Sequence, residues 1–188
     1  MASPFLYFVD DRLSLAELTA ARLDGDVVEL GDAYIPADAV ETRALRAGSL
    51  TGILGENLAA THLTAAWVHG ALPDPPAMHT VQRAVTRRLH RMPVRHLVYR
   101  DLSVDESDLE IIGGVRVTSK ARTLADLCRV ADDAHTRAAR LLADGSPQLV
   151  QEAVHRLEQG VLPHKRAALA LLRGLAAAGA AAGPATTT

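Results

Sequence analysis

A chain of 188 residues that is 48% hydrophobic is long enough to bury a full core, short for two equal domains, and too apolar for wholesale disorder. Its one cysteine, Cys128, leaves no partner for an internal disulfide and no second thiol for a thiolate zinc site, which fits a reducing compartment. The formal net charge of −2 hides an asymmetry: residues 1–60 hold four Arg against ten Asp and Glu, net −6, whereas residues 61–100 hold six Arg against Asp74, net +5, with five His in the same window.

The opening Met1 to Val9 is apolar but lacks a basic leader and runs into Asp10 and Asp11, so no secretory signal is expected there. No apolar run reaches the roughly 20 residues needed to cross a bilayer, and the expected location is the cytoplasm. Phe5 to Val9 reads as a short buried strand. Ser14 with Glu17 three positions on forms a reciprocal capping pair that opens a helix ending near Gly25. From Val27 to Ile35, apolar residues flank the turn signal Gly31-Asp32, which predicts a β-hairpin closed by Pro36. Helix followed by hairpin is half of a winged-helix module, a pattern that many small α+β units share.

Further along, a helix is expected over Thr42 to Leu54 with Gly55 as its stop, a strand over Leu58 to Thr61, and a helix from Leu63 to His69. Pro73, Pro75 and Pro76 make the following stretch a loop. The period then becomes strand-like over His79 to Arg83, Val94 to Arg100, Leu109 to Ile112 and Val115 to Val117, with Gly113-Gly114 as a turn. Thr118 or Ser119 can cap a helix to about Val130. Asp132 starts a helical tail in which Leu149, Val150, Ala153, Val154 and Leu157 form one apolar stripe, and Pro163 begins a last helix to roughly Leu175. Residues 176–188, without charge or bulk, are expected to be disordered.

Catalytic signatures are scarce. The nucleophile elbow, the phosphate loop, the dinucleotide glycine motif and His-Glu-x-x-His are all absent, so the chain is not expected to be an enzyme or to carry a cofactor or metal. His62 and His69, seven apart on a predicted helix, could share a face with Asp74 or His79 as a third ligand, against the simpler account that both border or pack the helix. Cys128 sits among Leu124, Leu127 and Val130, where a thiol behaves as a small hydrophobe. The strongest chemical signal is basic: Arg83, Arg87, Arg88, Arg91 and Arg95 could track a phosphate backbone, or could pair with the acidic N-terminal third. Arg122 and Asp126, four apart, can pair along a helix surface.

Three stretches together resemble the AbiEi-type family of type IV antitoxins and related actinobacterial transcriptional regulators. LAELTAARLDGDVVELGDAYIP, Leu15 to Pro36, resembles the helix and wing of that family's N-terminal module; THLTAAWVHG, Thr61 to Gly70, and DLEIIGGVRVTSKARTLADL, Asp108 to Leu127, resemble segments of its second domain. The resemblance implies an α+β fold: a truncated winged-helix-like module over residues 1–40, packed on a mixed α/β domain with C-terminal helices over 41–175. It implies a non-enzymatic regulator, with double-stranded operator DNA as partner and a cognate toxin indirectly. On this reading Ser14, Thr19 and Arg22 make groove or backbone contacts, and Arg83, Arg87, Arg88, Arg91 and Arg95 hold phosphates. The sequence departs from the pattern in the acids of the first module: Glu17, Asp24, Asp26, Glu29 and Asp32 accompany a single cation, Arg22, and would repel phosphate. The alternative is a protein-interaction module without affinity for DNA.

Overall fold

The computed structural model describes residues 3–89, 96–159 and 164–181. Helix α1 (Leu15–Asp24) begins where Ser14 Oγ accepts from the Glu17 amide and the Glu17 carboxylate accepts from the Ser14 amide. It stops at Gly25, whose φ of 83° is the left-handed conformation that closes helices. A hairpin follows, β1 (Val27–Leu30) and β2 (Ala33–Pro36), with Leu30 opposite Ala33 across the two-residue turn Gly31-Asp32. Gly31 is required twice over: its φ is 58°, and a Cβ there would lie 2.4 Å from Ser49 Oγ. Helices α2 (Arg43–Gly48), capped by Thr42, and α3 (Thr51–Leu54) lead into the central sheet.

That sheet has five strands in the order β5-β4-β3-β7-β6. These are β3 (Leu58–Ala60), β4 (His79–Arg83), β5 (Leu97–Ser103), β6 (Leu109–Ile112) and β7 (Val115–Thr118). β3 runs antiparallel to β4 and parallel to β7, β4 runs parallel to β5, and β6–β7 is an antiparallel hairpin. Helix α4 (His62–Val68) crosses between β3 and β4, and α5 (Lys120–Cys128), capped by Ser119, follows β7 directly. Helices α6 (Asp133–Ala143), α7 (Pro147–Gln159) and α8 (Lys165–Ala181) complete the chain, so the protein is a mixed α+β fold.

Two cores result, and α4 serves both. The first gathers Leu6, Leu30, Ile35, Leu45, Trp67 and Val81 from the N-terminal segment, hairpin, α2, α4 and sheet, so the helix and hairpin unit shares a core with the domain behind it. The second packs Ala66 of α4 with Leu124, Leu127, Ala153, Leu157 and Leu172 of the C-terminal helices. The apolar stripe of α7 faces this second core through Leu149, Val150, Ala153 and Leu157.

Four expectations need correction. Phe5 to Val9 is not a strand: Tyr7 exchanges a pair of 2.9 Å backbone bonds with Tyr34, but Asp10 takes a φ of 63° and its amide bonds back to Leu13, which turns the chain before a ladder can grow. The helix predicted over 42–54 is broken in two, because Ser49 Oγ and Thr51 Oγ1 donate to the Arg46 and Gly48 carbonyls and Gly48 and Gly52 are poor helix formers. Helix α8 continues past Leu175 to Ala181, so that part of the expected disordered tail is helical; it is Ala-rich, and alanine is the best helix former. Arg122 and Asp126 do pair, but in the interior and not along a helix surface, with Arg122 7% and Asp126 0% exposed.

Candidate interaction surfaces

Helix α1 is presented outward. Leu18 is its one buried residue, while Leu15 is 55% and Leu23 77% exposed. The polar side chains expected to reach DNA from this helix are engaged within the chain. Ser14 Oγ donates to Glu17 at 2.7 Å, Thr19 Oγ1 donates to the Leu15 carbonyl at 2.7 Å, and Arg22 pairs with Glu29 at 3.4 Å. The Ser14 backbone amide first, and then its hydroxyl, hold the Glu17 carboxyl below the ordinary carboxylate range by donating to it.

All four arginines of residues 1–60 are spent on acids: Arg12 on Asp11, Arg22 on Glu29, Arg43 on Glu110 and Arg46 on Glu41. Arg46 does more, donating to the carbonyls of Trp67, Leu72 and Pro73 while its guanidinium lies 5.5 Å from the Trp67 ring, so it ties α2 to the end of α4. Seven exposed acids of the same segment, Asp10, Glu17, Asp24, Asp26, Asp32, Asp38 and Glu56, stand in no ion pair among the described residues. Six of the seven belong to the helix and hairpin unit, Glu56 lying beyond α3, so among the described residues that unit carries unpaired negative charge together with exposed apolar side chains.

The basic segment is less uniform than its spacing suggested. Arg83 is 8% exposed; its Nε pairs with Asp101 at 2.8 Å and its Nη1 donates to the carbonyls of Val85, Thr86 and Arg87, so it holds the turn after β4 and does not face solvent. Arg88, with a 79% exposed side chain, approaches the other Asp101 oxygen at 3.6 Å, and Arg87 donates to Asn57 Oδ1 at 3.2 Å. No helix gathers Arg83, Arg87 and Arg88 on one side. Arg91 and Arg95 lie outside the described residues.

Sequence spacing caught one arm of a buried network. Arg122 Nε meets Asp126 Oδ2 at 2.8 Å, its Nη1 meets Asp108 Oδ2 at 2.5 Å, Arg129 Nη1 meets Asp126 Oδ1 at 2.8 Å, and Arg156 of α7 reaches Asp108. The network ties the short turn Glu106–Asp108, just before β6, to α5 and α7. The histidines considered as ligands are dispersed. His69 donates from Nε2 to the Thr118 carbonyl at 2.7 Å while its Nδ1 accepts from Arg43 at 2.9 Å, and burial pushes its pKa down to about 4. His62 sits edge-on to His135 with ring centres 5.9 Å apart, its pKa likewise pushed down by burial to about 4, and His79 packs near Trp67. Among the described residues no group of three His, Cys, Asp or Glu could hold a metal ion. Burial also raises the Cys128 thiol to about 12.

Among the described residues the surface carries a polar cleft and an apolar one. The polar cleft, of about 790 Å³, lies between the start of α5 and α7, where Lys120, Arg43 and Arg156 alternate with Glu110, Asp144 and Glu152. The apolar cleft, of about 380 Å³, lies between the N-terminal segment and α2, formed by Phe5, Leu6, Val40, Ala44, Leu45 and the backbone of Gly113, among others. His62, His69, Asp74 and His79 line neither. Among the described residues no helix is long and apolar enough to cross a membrane.

No family model matches the chain, and no curated protein matches it. Among solved structures it is similar to the RV2827C protein from Mycobacterium tuberculosis, a crystal structure, at 17% identity over 86% of this chain and 70% of that one, with a TM-score of 0.35. A likeness that distant carries no functional argument.

Proposed function

We propose that this chain is a non-enzymatic, antitoxin-like regulator that acts by binding, and that its main partner is a protein with a basic surface, docked on the acidic helix and hairpin unit. The observation that carries this reading is electrostatic. Among the described residues, six exposed acids of residues 1–40 stand in no ion pair, whereas Arg12 and Arg22 of that stretch are each paired with an acid. Such a surface repels phosphate and attracts lysine and arginine, while exposed Leu15 and Leu23 supply apolar area for an interface centre. On this reading α1 and β1–β2 are a reduced winged helix turned from nucleic acid to protein recognition.

The test mixes the purified chain with the product of its adjacent gene, followed by size-exclusion chromatography across a salt series. A complex that weakens with salt is expected, and Asp24→Lys combined with Asp26→Lys is expected to lower its affinity by about ten-fold or more. A complex indifferent to both salt and charge reversal would sink the proposal.

A second reading, binding of operator DNA, is favoured by one observation: Arg87 and Arg88 project from the corner after β4, Arg88 with a 79% exposed side chain. A gel shift with the protein's own upstream duplex separates the two readings. Steeply salt-dependent binding, with a slope that Arg87→Ala and Arg88→Ala each shallow by roughly one, supports DNA over protein as the partner.

A further inference from the structure

We propose that the apolar groove between the N-terminal segment and α2 is the anchor pocket for that basic partner, receiving apolar side chains of an amphipathic segment flanked by Lys or Arg. The inference rests on the reading of the N-terminal unit as an acidic docking surface and adds where the partner's apolar anchor goes.

The groove is built before anything binds. Its floor is Leu6 and Leu45, 2% and 7% exposed, and its rims are Phe5 and Val40, 54% and 81% exposed. One wall is the β6–β7 turn, pressed backbone to backbone against α2: a Cβ on Gly113 would lie 2.2 Å from the Ala44 carbonyl oxygen. The start of α2 beside it is held by Thr42, whose Oγ1 accepts from the Leu45 amide. A preformed apolar concavity with few polar groups is what binding an apolar anchor asks for. No charged side chain lines it; Ser3 and Thr42 are its polar members.

Charge selects the occupant. Asp38 stands exposed two positions before Val40 and in no ion pair among the described residues, and the nearest cations in sequence, Arg43 and Arg46, are held by Glu110 and Glu41. An apolar pocket with the Asp38 carboxylate beside its lining residue Ala39 favours a segment whose apolar residues alternate with cations, the pattern of an amphipathic helix laid into a groove.

The probe is a fluorescein-labelled helical peptide of about 14 residues with Leu on one face and Lys elsewhere, read by anisotropy against the full chain, with a Leu→Ser and a Lys→Glu version as controls. The Leu/Lys peptide is expected to bind about ten-fold or more tightly than the Leu→Ser peptide, since burying one or two apolar side chains supplies that factor. Val40→Ser, at a position too exposed to support the fold, and Ala44→Trp, which fills the groove, are each expected to bring that ratio close to one at unchanged circular dichroism. If both lysine peptides bind alike and the variants are silent, the groove assignment is overturned while the acidic docking surface stands. If neither lysine peptide binds at low salt, both fall. Equal binding of the Lys→Glu peptide overturns the charge selection. Dimerisation of the wild-type chain that Val40→Ser abolishes overturns the assignment in favour of a second copy as the occupant.

Discussion

Replacing Asp126 by alanine tests the energetics of the interior most directly. Asp126 is 0% exposed and serves two arginines, Arg122 at Oδ2 and Arg129 at Oδ1, both at 2.8 Å. Its loss leaves Arg122, 7% exposed, with Asp108 as its one carboxylate among the described residues, one it already shares with Arg156. Removing one partner of a buried pair costs about 3–5 kcal/mol, because a charge stays in a medium that cannot solvate it. Domains are stable by only about 5–15 kcal/mol, so the variant should lose roughly a fifth of its stability or more. The control is Glu29→Ala, which breaks the Arg22–Glu29 pair, 3.4 Å long with side chains 47% and 60% exposed; exposed pairs contribute about 0–1 kcal/mol. Equilibrium urea unfolding followed by circular dichroism reads both. The midpoint of Asp126→Ala should drop well below that of Glu29→Ala at an unchanged slope. A loss under about 1 kcal/mol, or one equal to that of Glu29→Ala, would refute the claim that these charges are desolvated and mutually dependent.

Acid should weaken the fold through its histidines. His62 and His69 titrate near 4 in the native chain against about 6.5 when unfolded, so the unfolded chain binds more protons in that window; stability is fully present above about pH 6.5 and falls as the pH drops toward 4, by on the order of 3 kcal/mol per histidine. His69→Gln should flatten the slope of unfolding free energy against pH between those limits, and an unchanged slope would contradict the assignment. Gly113→Ala should cost about 2–4 kcal/mol, since it adds a Cβ 2.2 Å from a backbone oxygen at a φ of 56°, whereas Gly114→Ala, with open space around it, should cost about 1 kcal/mol; thermal unfolding of the two variants compares them. Cys128, buried and with its thiol raised to about 12, should resist a thiol-specific chromogenic reagent at neutral pH and react only once denaturant unfolds the chain.

What could be read from the sequence was local. The Ser14 and Glu17 capping box, the Gly31-Asp32 turn, Ser119 as a cap and the stripe along α7 each depend on residues a few positions apart, and all stand where expected. What escaped was set by distant partners. Arg46 is an ordinary surface-helix arginine by its neighbours, yet it clamps carbonyls at Trp67, Leu72 and Pro73. Asp108, just before the strand predicted over Leu109 to Ile112, is the acid that Arg122 and Arg156 share. No periodicity marks such pairs, because the bond joins elements brought together only by the finished fold. The break at Gly48 and Ser49 was a different failure: apolar spacing continued through 42–54, and hydroxyl groups bonding to nearby carbonyls overrode it.

The same distinction governs what charge counts mean for function. A +5 window and a −6 window look like equivalent clues in a sequence, since each is a tally of formal charges. In the fold they diverge. The basic window gives up Arg83 to the interior, and Arg88 shares its carboxylate with it, so Asp101 meets two arginines at once. The acidic window keeps its excess outside: its four arginines find acids, and among the described residues seven exposed carboxylates stand in no ion pair. Long-range steering of a partner depends on uncompensated charge and not on formal charge. On the proposed reading, that excess favours a cationic protein over a phosphate backbone at the N-terminal unit, although the family resemblance pointed first to DNA. The exposed apolar residues beside it reinforce the choice, since charge sets encounter and orientation whereas buried apolar area holds a complex together.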